Sequence, residues 1–158
     1  RDRSVSRGLG DVYKRQLDSL NHLRSLDEIK KVFSLVSLFT EEGGIFVFDV
    51  NTLYKHKKVL GNNAFIYENG DALCAWQNSL DGDTVNIELD FFAEADNGLY
   101  ERYSESFSER AYELCDIEDA LTEAGFEIIG IYDGYDNSPI SDNSQRAVFA
   151  ARKGRKNG

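Results

Sequence analysis

An apolar run that ends abruptly in polar side chains constrains this sequence most. The segment GGIFVFDVNT (43–52) has unbroken apolar residues at 45–48, followed by polar side chains at Asp49, Asn51 and Thr52. The run lacks the alternation of a half-exposed strand, so it predicts a strand covered on both faces, as in the sheet of an α/β protein. The chain leaves the buried layer where such a strand ends. Polar side chains at that point can face a ligand crevice.

Helices and further strands are predicted on either side of this strand. Ser25 and Glu28 have the spacing of a capping box, and apolar residues follow at helical spacing over residues 26–40. Asp116 is a candidate N-cap for a second helix, which Gly125 would end. Strands are predicted over residues 126–132 and 147–151. A helix, a glycine stop and a covered strand together are typical of half a βαβ unit.

The middle of the chain has the pattern of an antiparallel meander. Asn69-Gly70, Asp81-Gly82 and Asn97-Gly98 are pairs that favour the tight turns of hairpins. Between two of these turns, residues 84–91 alternate between polar and apolar side chains, which predicts one buried and one solvated face. The meander is expected to occupy residues 65–112.

Charge and hydropathy exclude several classes of partner. The formal net charge is −10, and half of the 18 Lys and Arg residues lie in residues 1–16 and 152–158, so the acidic body would repel nucleic acid unless these short ends bound it. No window approaches the roughly 18 uncharged apolar residues that a membrane-spanning helix needs. The chain is therefore expected to be cytoplasmic, with no nucleic-acid partner and no membrane association. Two cysteines without a CxxC pair and two histidines do not suggest a metal site.

The ends of the chain are expected to lie outside the fold. Residues 1–16 contain interrupting glycines and no apolar face, which predicts a non-native or disordered leader. Residues 154–158 are predicted to be a basic tail. The sequence contains no methionine, which suggests a piece of a longer protein.

Five segments in order resemble the C-terminal half of a class I S-adenosylmethionine-dependent methyltransferase. They are LDSLNHL (17–23), GGIFVFDVNT, ERAY (109–112), DIEDALTEAGFEIIGIYDG (116–134) and QRAVFAARK (145–153), and they most resemble a small bacterial group with DSxNY and GGxFxFDxNT motifs. The resemblance implies an α/β fold with a partial Rossmann-like sheet over residues 17–153. In this sheet the last strand (147–151) would lie between the strand at 45–50 and the strand at 126–132. It also implies that the meander is an insertion that forms a lid over the acceptor.

The resemblance also implies roles for individual residues. Residues that would contact S-adenosylmethionine are Leu17, Asp18, Ser19 and Asn21. Residues that would contact the acceptor are Asp49, Asn51, Tyr54, Trp76, Arg110 and Tyr112. Candidate general bases are Asp18, Asp49 and His22. The family's ExHxERxY pattern has Phe107 in place of its histidine, so a role carried by that histidine is not implied here.

Each of these roles has a structural alternative. Asp18 could be a turn acid, and Asp49 could cap the loop after its strand. Arg110 could pair with Glu109 or Glu113, and Trp76 could belong to the core of the meander. Histidine side chains could be structural as well: His22 as a packing residue and His56, among lysines, as part of a solvated basic patch.

The expected function is methyl transfer to an unidentified small-molecule acceptor by a protein of which this chain is a fragment. The family's glycine-rich turn and the acid that holds the ribose have no counterpart in the sequence, so the chain alone is expected to bind the cofactor poorly. The alternative is a non-enzymatic module that binds a ligand or protein on the antiparallel sheet. The sequence predicts no oligomeric state.

Overall fold

The computed structural model describes residues 20–155 and the backbone of residues 12–15. Its elements form a mixed core sheet with two helices and a separate antiparallel sheet. The core strands are β1 (Val12–Arg15), β2 (Ile45–Asn51), β7 (Phe126–Asp133), β8 (Ser138–Pro139) and β9 (Arg146–Lys153). The strands of the second sheet are β3 (Ala64–Asn69), β4 (Ala72–Asp81), β5 (Thr84–Glu94) and β6 (Tyr100–Arg110). The helices are α1 (Leu26–Phe39), a π-helix (Lys55–Leu60) and α2 (Leu114–Glu123).

The core sheet has the order β1-β2-β9-β7-β8. The last long strand, β9, lies between β2 and β7 and runs antiparallel to both, which confirms the predicted strand order. Strand β1 pairs in parallel with β2. This pairing corrects one expectation, because residues 12–15 of the predicted leader belong to the sheet.

Both long helices pack on one face of the core sheet. Phe33 of α1 contacts Phe46 and Phe48 of β2, and Phe48 stacks on Phe149 of β9 with ring centroids 5.0 Å apart. Helix α1 begins as predicted, because the backbone N–H of Glu28 donates to the Ser25 hydroxyl. Helix α2 begins at Leu114, so the prediction that Asp116 would be its N-cap is wrong; Asp116 lies in the first turn.

The opposite face of the core sheet is less covered. Phe46, Phe48 and Val50 are buried, whereas Ile45 and Val47 on the other face of β2 are only half-buried. Among the described residues, apolar packing therefore covers one face of β2 fully and the other only partly, whereas the sequence predicted cover on both faces. The reason is that α1 and α2 share one face, and their apolar residues form a single cluster with β2, β7 and β9.

The second sheet is the predicted meander, with strands over residues 64–110 in the order β3-β4-β5-β6. The hairpin glycines Gly70, Gly82 and Gly98 have φ angles of 58°, 60° and 75°, which residues with a Cβ adopt at a cost. The apolar side chains of its inner face, including Val85 and Ile87, pack against Leu60 of the π-helix. Polar side chains such as those of Asn86 and Ser108 occupy its outer face.

The connection between the two sheets contains the π-helix, which the sequence analysis did not predict. Its last turn is closed by a hydrogen bond of 2.7 Å from the Gly61 N–H to the His56 carbonyl. Among the described residues, no helix is both long and apolar enough to cross a membrane.

Candidate functional site

Asn21 joins the carboxyl end of β2 to the end of β6. Its Nδ2 donates to the carbonyl of Asn51 (3.2 Å) and to the carbonyl of Arg110 (3.0 Å), and its Oδ1 accepts the Asn51 N–H (2.8 Å). The Arg110 N–H donates to the Asn21 carbonyl at 2.7 Å. Asn21 is buried, so these bonds satisfy polar groups that water does not reach. Both amide hydrogens are used within the chain, and the cofactor-binding role of Asn21 stays a prediction.

Glu109 is the buried centre of a second polar group, which we call the Glu109 cluster: His22, Asn51, His56 and Glu109. The Asn51 Nδ2 donates to Glu109 Oε2 at 3.2 Å. His56 Nε2 lies 3.7 Å from the same oxygen, and His22 Nε2 lies 3.9 Å from Oε1. Lys55 Nζ donates to Asn51 Oδ1 at 2.8 Å, which extends the cluster to a cation. Four separate segments therefore meet at one carboxylate.

The position of His56 corrects the expectation of a solvated basic patch. His56 is fully buried, whereas Lys57 and Lys58 beside it are exposed. Its Nδ1 lies 3.3 Å from the carbonyl oxygen of Asp83, at the turn between β4 and β5. The π-helix thus turns one imidazole inward from a run of basic residues, and this imidazole connects the meander to the Glu109 cluster.

Asp49 lies on the open face of β2 and is buried among polar partners. Its carboxylate contacts the guanidinium of Arg146 and accepts a hydrogen bond of 3.0 Å from the Tyr135 hydroxyl. Partial burial of the Tyr135 hydroxyl, and then its bond to Asp49, raise the pKa of that phenol above its ordinary value of 10.0. Asp49 is therefore already held by a cation and a hydroxyl. Its predicted roles as base and acceptor contact stay predictions.

Thr52 has a structural role at the end of β2. Its hydroxyl donates to the carbonyl of Ser144 at 2.6 Å and accepts the Lys55 N–H at 3.1 Å. The first bond joins the end of β2 to the loop before β9, and the second lies at the beginning of the π-helix. The hydroxyl that ends the apolar run therefore shapes the rim of the site.

Arg110 and Tyr112 contact the turn that follows Asn21. Arg110 Nη1 donates to the carbonyl of Arg24 at 3.0 Å, and its guanidinium lies 5.4 Å from the centre of the Tyr112 ring. The Tyr112 hydroxyl donates to the carbonyl of Leu23 at 2.7 Å. Burial is the main cause that raises the Tyr112 pKa, while Arg110 acts in the opposite direction. No direct ion pair joins Arg110 to Glu109 or Glu113 in the described contacts; the acceptor roles of Arg110 and Tyr112 remain predictions.

Trp76 lies in β4 of the meander, and Tyr54 lies in the connection between the two sheets. Trp76 is half-buried, packs edge-on against Phe65 with centroids 5.6 Å apart, and donates its indole N–H to Asn78. It belongs to the apolar cluster of the meander, as the structural alternative stated. Tyr54 is half-buried immediately before the π-helix. Acceptor contact by either residue stays a prediction.

Three predicted cofactor contacts, Leu17, Asp18 and Ser19, lie outside the described residues. They directly precede Leu20 and Asn21, which are buried at the carboxyl end of β2. A cleft of about 80 Å³ beside this turn is lined by residues that include His22, Glu109 and Arg110.

The known proteins that this chain resembles are methyltransferases. The chain is 32% identical over 139 residues to a protein of Geobacillus sp. (strain WCH70) whose name describes a candidate methyltransferase; the match covers 86% of this chain and 56% of that protein. A crystal structure of an S-adenosylmethionine-dependent methyltransferase from Clostridium acetobutylicum ATCC 824 is 34% identical, with a TM-score of 0.85. This match covers 98% of the chain and 62% of that structure.

The chain shares its fold with S-adenosylmethionine-dependent methyltransferases. A sugar N-methyltransferase from Streptoalloteichus sp ATCC 53650 has the same fold, at 16% identity and a TM-score of 0.73, over 98% of this chain and 60% of that structure. No protein-family model matches the chain. The chain spans a little over half the length of the curated relative and about three fifths of the structures it matches.

Sequence reasoning missed the central residues of the site. Glu109 was placed only as a partner for Arg110, His56 was assigned to the surface, and Arg146 was assigned no role. The one available signal was the position of Glu109 in the segment ERAY, at the end of a strand. Its partner Asn51 is 58 positions away in the sequence, so no local pattern could connect the two residues.

Proposed function

We propose that this chain is the C-terminal portion of an S-adenosylmethionine-dependent methyltransferase that methylates a small-molecule acceptor. One observation carries the proposal: polar side chains from the Asn21 turn, from β2 and from β6 converge at the carboxyl end of β2. In an open α/β sheet this end is where ligands bind. Because the chain shares its fold with the Clostridium methyltransferase, methyl transfer is the reaction proposed at this edge.

The described residues fit a cofactor whose methionine end lies beside the Asn21 turn. Leu20 and Asn21 are almost fully buried, and Asn21 is bonded to Asn51 and Arg110, so the turn is fixed at these two residues. Leu17, Asp18 and Ser19 would contact the cofactor from there, and Asn21 would hold their turn in place. The sequence offers no glycine-rich turn for the rest of the cofactor, so those contacts would come from another segment.

The acceptor would bind between the carboxyl end of β2 and the inner face of the meander. Asp49, Asn51 and Tyr54 would contact it from the core side, and Trp76 from the meander side. Arg110 and Tyr112 would complete the rim. A small-molecule acceptor agrees with the sugar N-methyltransferase that has this fold.

Methyl transfer from a sulfonium needs alignment more than activation, because the donor is already reactive. The site would hold the acceptor in line with the methyl group and exclude water. A general base is needed only for an acceptor that must lose a proton. Asp18 and Asp49 are the carboxylates proposed for that step from the sequence.

The experiment begins with the source gene. If the reading frame upstream of Leu17 encodes a strand, a glycine-rich turn and a strand ending in Asp or Glu, the encoded protein is expressed and supplied with adenosylmethionine and a panel of amines, sugars and hydroxylated compounds. Formation of S-adenosylhomocysteine that depends on one acceptor class is expected. A frame without such a segment, or cofactor binding with no turnover of any acceptor, would favour the alternative, a non-enzymatic binding module.

A further inference from the structure

Both histidines of the chain lie against one buried carboxylate. His22 precedes α1, and His56 lies on the π-helix, yet their Nε2 atoms lie 3.9 Å and 3.7 Å from the two oxygens of Glu109. Glu109 is 6% exposed and His56 is 0% exposed. Two imidazoles from distant segments on opposite oxygens of one carboxylate form an arrangement that can hold and move protons.

The contacts of His56 fix where its protons lie. Its Nδ1 faces the carbonyl oxygen of Asp83 at 3.3 Å, and a carbonyl can only accept, so Nδ1 carries a hydrogen. Its Nε2 is buried, has no hydrogen-bond partner within the described part of the chain, and faces Glu109. A lone pair pointing at a carboxylate would be repulsive. In the arrangement inferred here, His56 carries a hydrogen on each ring nitrogen and pairs with Glu109 through Nε2.

Asn51, His22 and His56 surround the Glu109 carboxylate. Asn51 Nδ2 donates to Oε2, and Lys55 bonds to the other end of the same amide. The remaining charges nearby are paired elsewhere: Lys57 lies 2.9 Å from Asp83, and Arg110 donates to the carbonyl of Arg24. A buried carboxylate is costly unless it is paired and hydrogen-bonded, and His56 and Asn51 supply both contacts.

His22 is the exposed member of the cluster. Its side chain is 47% exposed, and its ring lies 5.6 Å from Phe107 on the inner face of the meander, where the acceptor is proposed to bind. Glu109 faces Nε2, which favours the tautomer with the hydrogen on Nε2 and leaves the lone pair on Nδ1. We propose that His22 accepts the proton of the methyl acceptor, and that Glu109 and His56 are positioning residues that hold it.

This inference rests on the proposed function and narrows its acceptor class to an amine or a hydroxyl that carries a dissociable proton. The acceptor's nitrogen or oxygen forms a bond to the methyl carbon while the carbon–sulfur bond breaks. The electron pair of that bond stays on sulfur, which becomes a neutral thioether. The proton leaves the acceptor for His22 Nδ1, so charge and atoms balance.

The first test needs no activity, since a chain with two histidines gives two imidazole spectra. Long-range ¹H–¹⁵N correlations of histidine-labelled protein at neutral pH report the proton on each ring nitrogen, and His22→Gln assigns the signals. The expected spectrum shows His56 protonated on both nitrogens and His22 protonated on Nε2. A wild-type His56 without a proton on Nε2 would overturn the inference.

The positioning role of Glu109 is tested with a matched pair of variants. Glu109→Gln keeps the shape of the side chain but removes its charge, so His56 is expected to lose its second proton and His22 its single tautomer. Glu105→Gln makes the same change at an exposed position on the same strand face, and the histidine spectra are expected to stay unchanged. Unaltered histidine spectra in folded Glu109→Gln would contradict the role. If Glu109→Gln does not fold, the wild-type spectrum alone tests whether His56 carries two ring protons and His22 carries one on Nε2.

The second test uses the longer protein of which this chain is proposed to be a part. For amine or hydroxyl acceptors, His22→Gln is expected to lower kcat by about 10²-fold or more, with the KM for adenosylmethionine within about twofold and a flattened pH–rate profile. An active protein in which His22→Gln leaves kcat and the pH profile intact would refute this inference alone. A longer protein with no activity toward any acceptor would refute the proposed function instead, and the histidine spectra would still be measurable.

Discussion

The core sheet and the meander are stabilised in different ways. The core sheet is held by stacked aromatic rings, with Phe33, Phe46, Phe48 and Phe149 almost fully buried. The apolar cluster of the meander has three buried members, Leu60, Val85 and Ile87. The core sheet is therefore stabilised mainly by apolar burial, whereas polar contacts at the base of the meander fix its position on the core.

Those polar contacts are concentrated where the two regions meet. Asn21 bonds to Asn51 in the core and to Arg110 at the end of β6, and Asn51 also donates to Glu109. His56 adds a contact to Asp83 in the meander. The candidate site is therefore also the joint between the regions, so changes in it are expected to alter both stability and function.

The largest effect is expected in the apolar core. Phe48→Ala removes a ring that contacts three other phenylalanines and leaves a cavity, so the free energy of unfolding should fall by about 3–5 kcal/mol. Urea denaturation followed by circular dichroism measures the change. Phe39→Ala, at a position that is 70% exposed, is the matched control and should lower stability by less than about 1 kcal/mol. Equal losses in the two variants would contradict the claim that buried aromatic rings stabilise the core sheet.

The next largest effect is expected at the joint. Asn21→Ala leaves the Asn51 N–H, the buried Asn51 carbonyl and the part-buried Arg110 carbonyl without this partner, which should cost about 2–3 kcal/mol. Amide exchange should also increase in β6 more than in β9. Asn86→Ala, which removes a single exposed bond to Ser108 on the outer face, should cost under about 1 kcal/mol. If Asn21→Ala were as mild as Asn86→Ala, Asn21 would not be the residue that joins the two regions.

A smaller effect is expected from the phenol on Asp49. The pKa of Tyr135 is raised from 10.0, so the fold favours the neutral phenol. Its contribution is present below the unfolded value of 10.0 and is lost as pH rises through the higher folded value. Tyr135 is largely exposed, so the contribution should not exceed about 1 kcal/mol. The stability difference between wild type and Tyr135→Phe should shrink above about pH 10; a difference that grows with pH would refute this assignment.

The smallest effect is expected on the outer face of the meander. Arg102 makes two hydrogen bonds to Asp90, and the bond from Ser104, followed by that from Arg102, lowers the pKa of Asp90. The pair is exposed, so Arg102→Ala should cause only a small loss of stability at low salt and a smaller one at high salt. Denaturation at two salt concentrations measures this difference. A loss as large as that of Phe48→Ala would show that the outer face stabilises the meander.

The elements that follow from local patterns were predicted well from the sequence. The capping box at Ser25, the hairpin glycines and the apolar run of β2 each depend on residues close in sequence. The position of β9 between β2 and β7 is not a local property, and its prediction came from the family resemblance.

The candidate site was predicted only in part. Asn21, Asp49 and Asn51 lie at the expected edge, but their partners come from segments far away in the sequence. A basic run such as residues 55–58 does not reveal that a π-helix turns one imidazole inward. The burial of His56 and Glu109 depends on how the meander packs on the core, and no periodicity encodes that packing.

Calorimetric titration with adenosylmethionine tests most directly whether this chain carries the acceptor side of a methyltransferase site. We expect micromolar binding by the longer protein proposed above and little or no binding by this chain alone. Micromolar binding by this chain alone, or none by the longer protein, would contradict it.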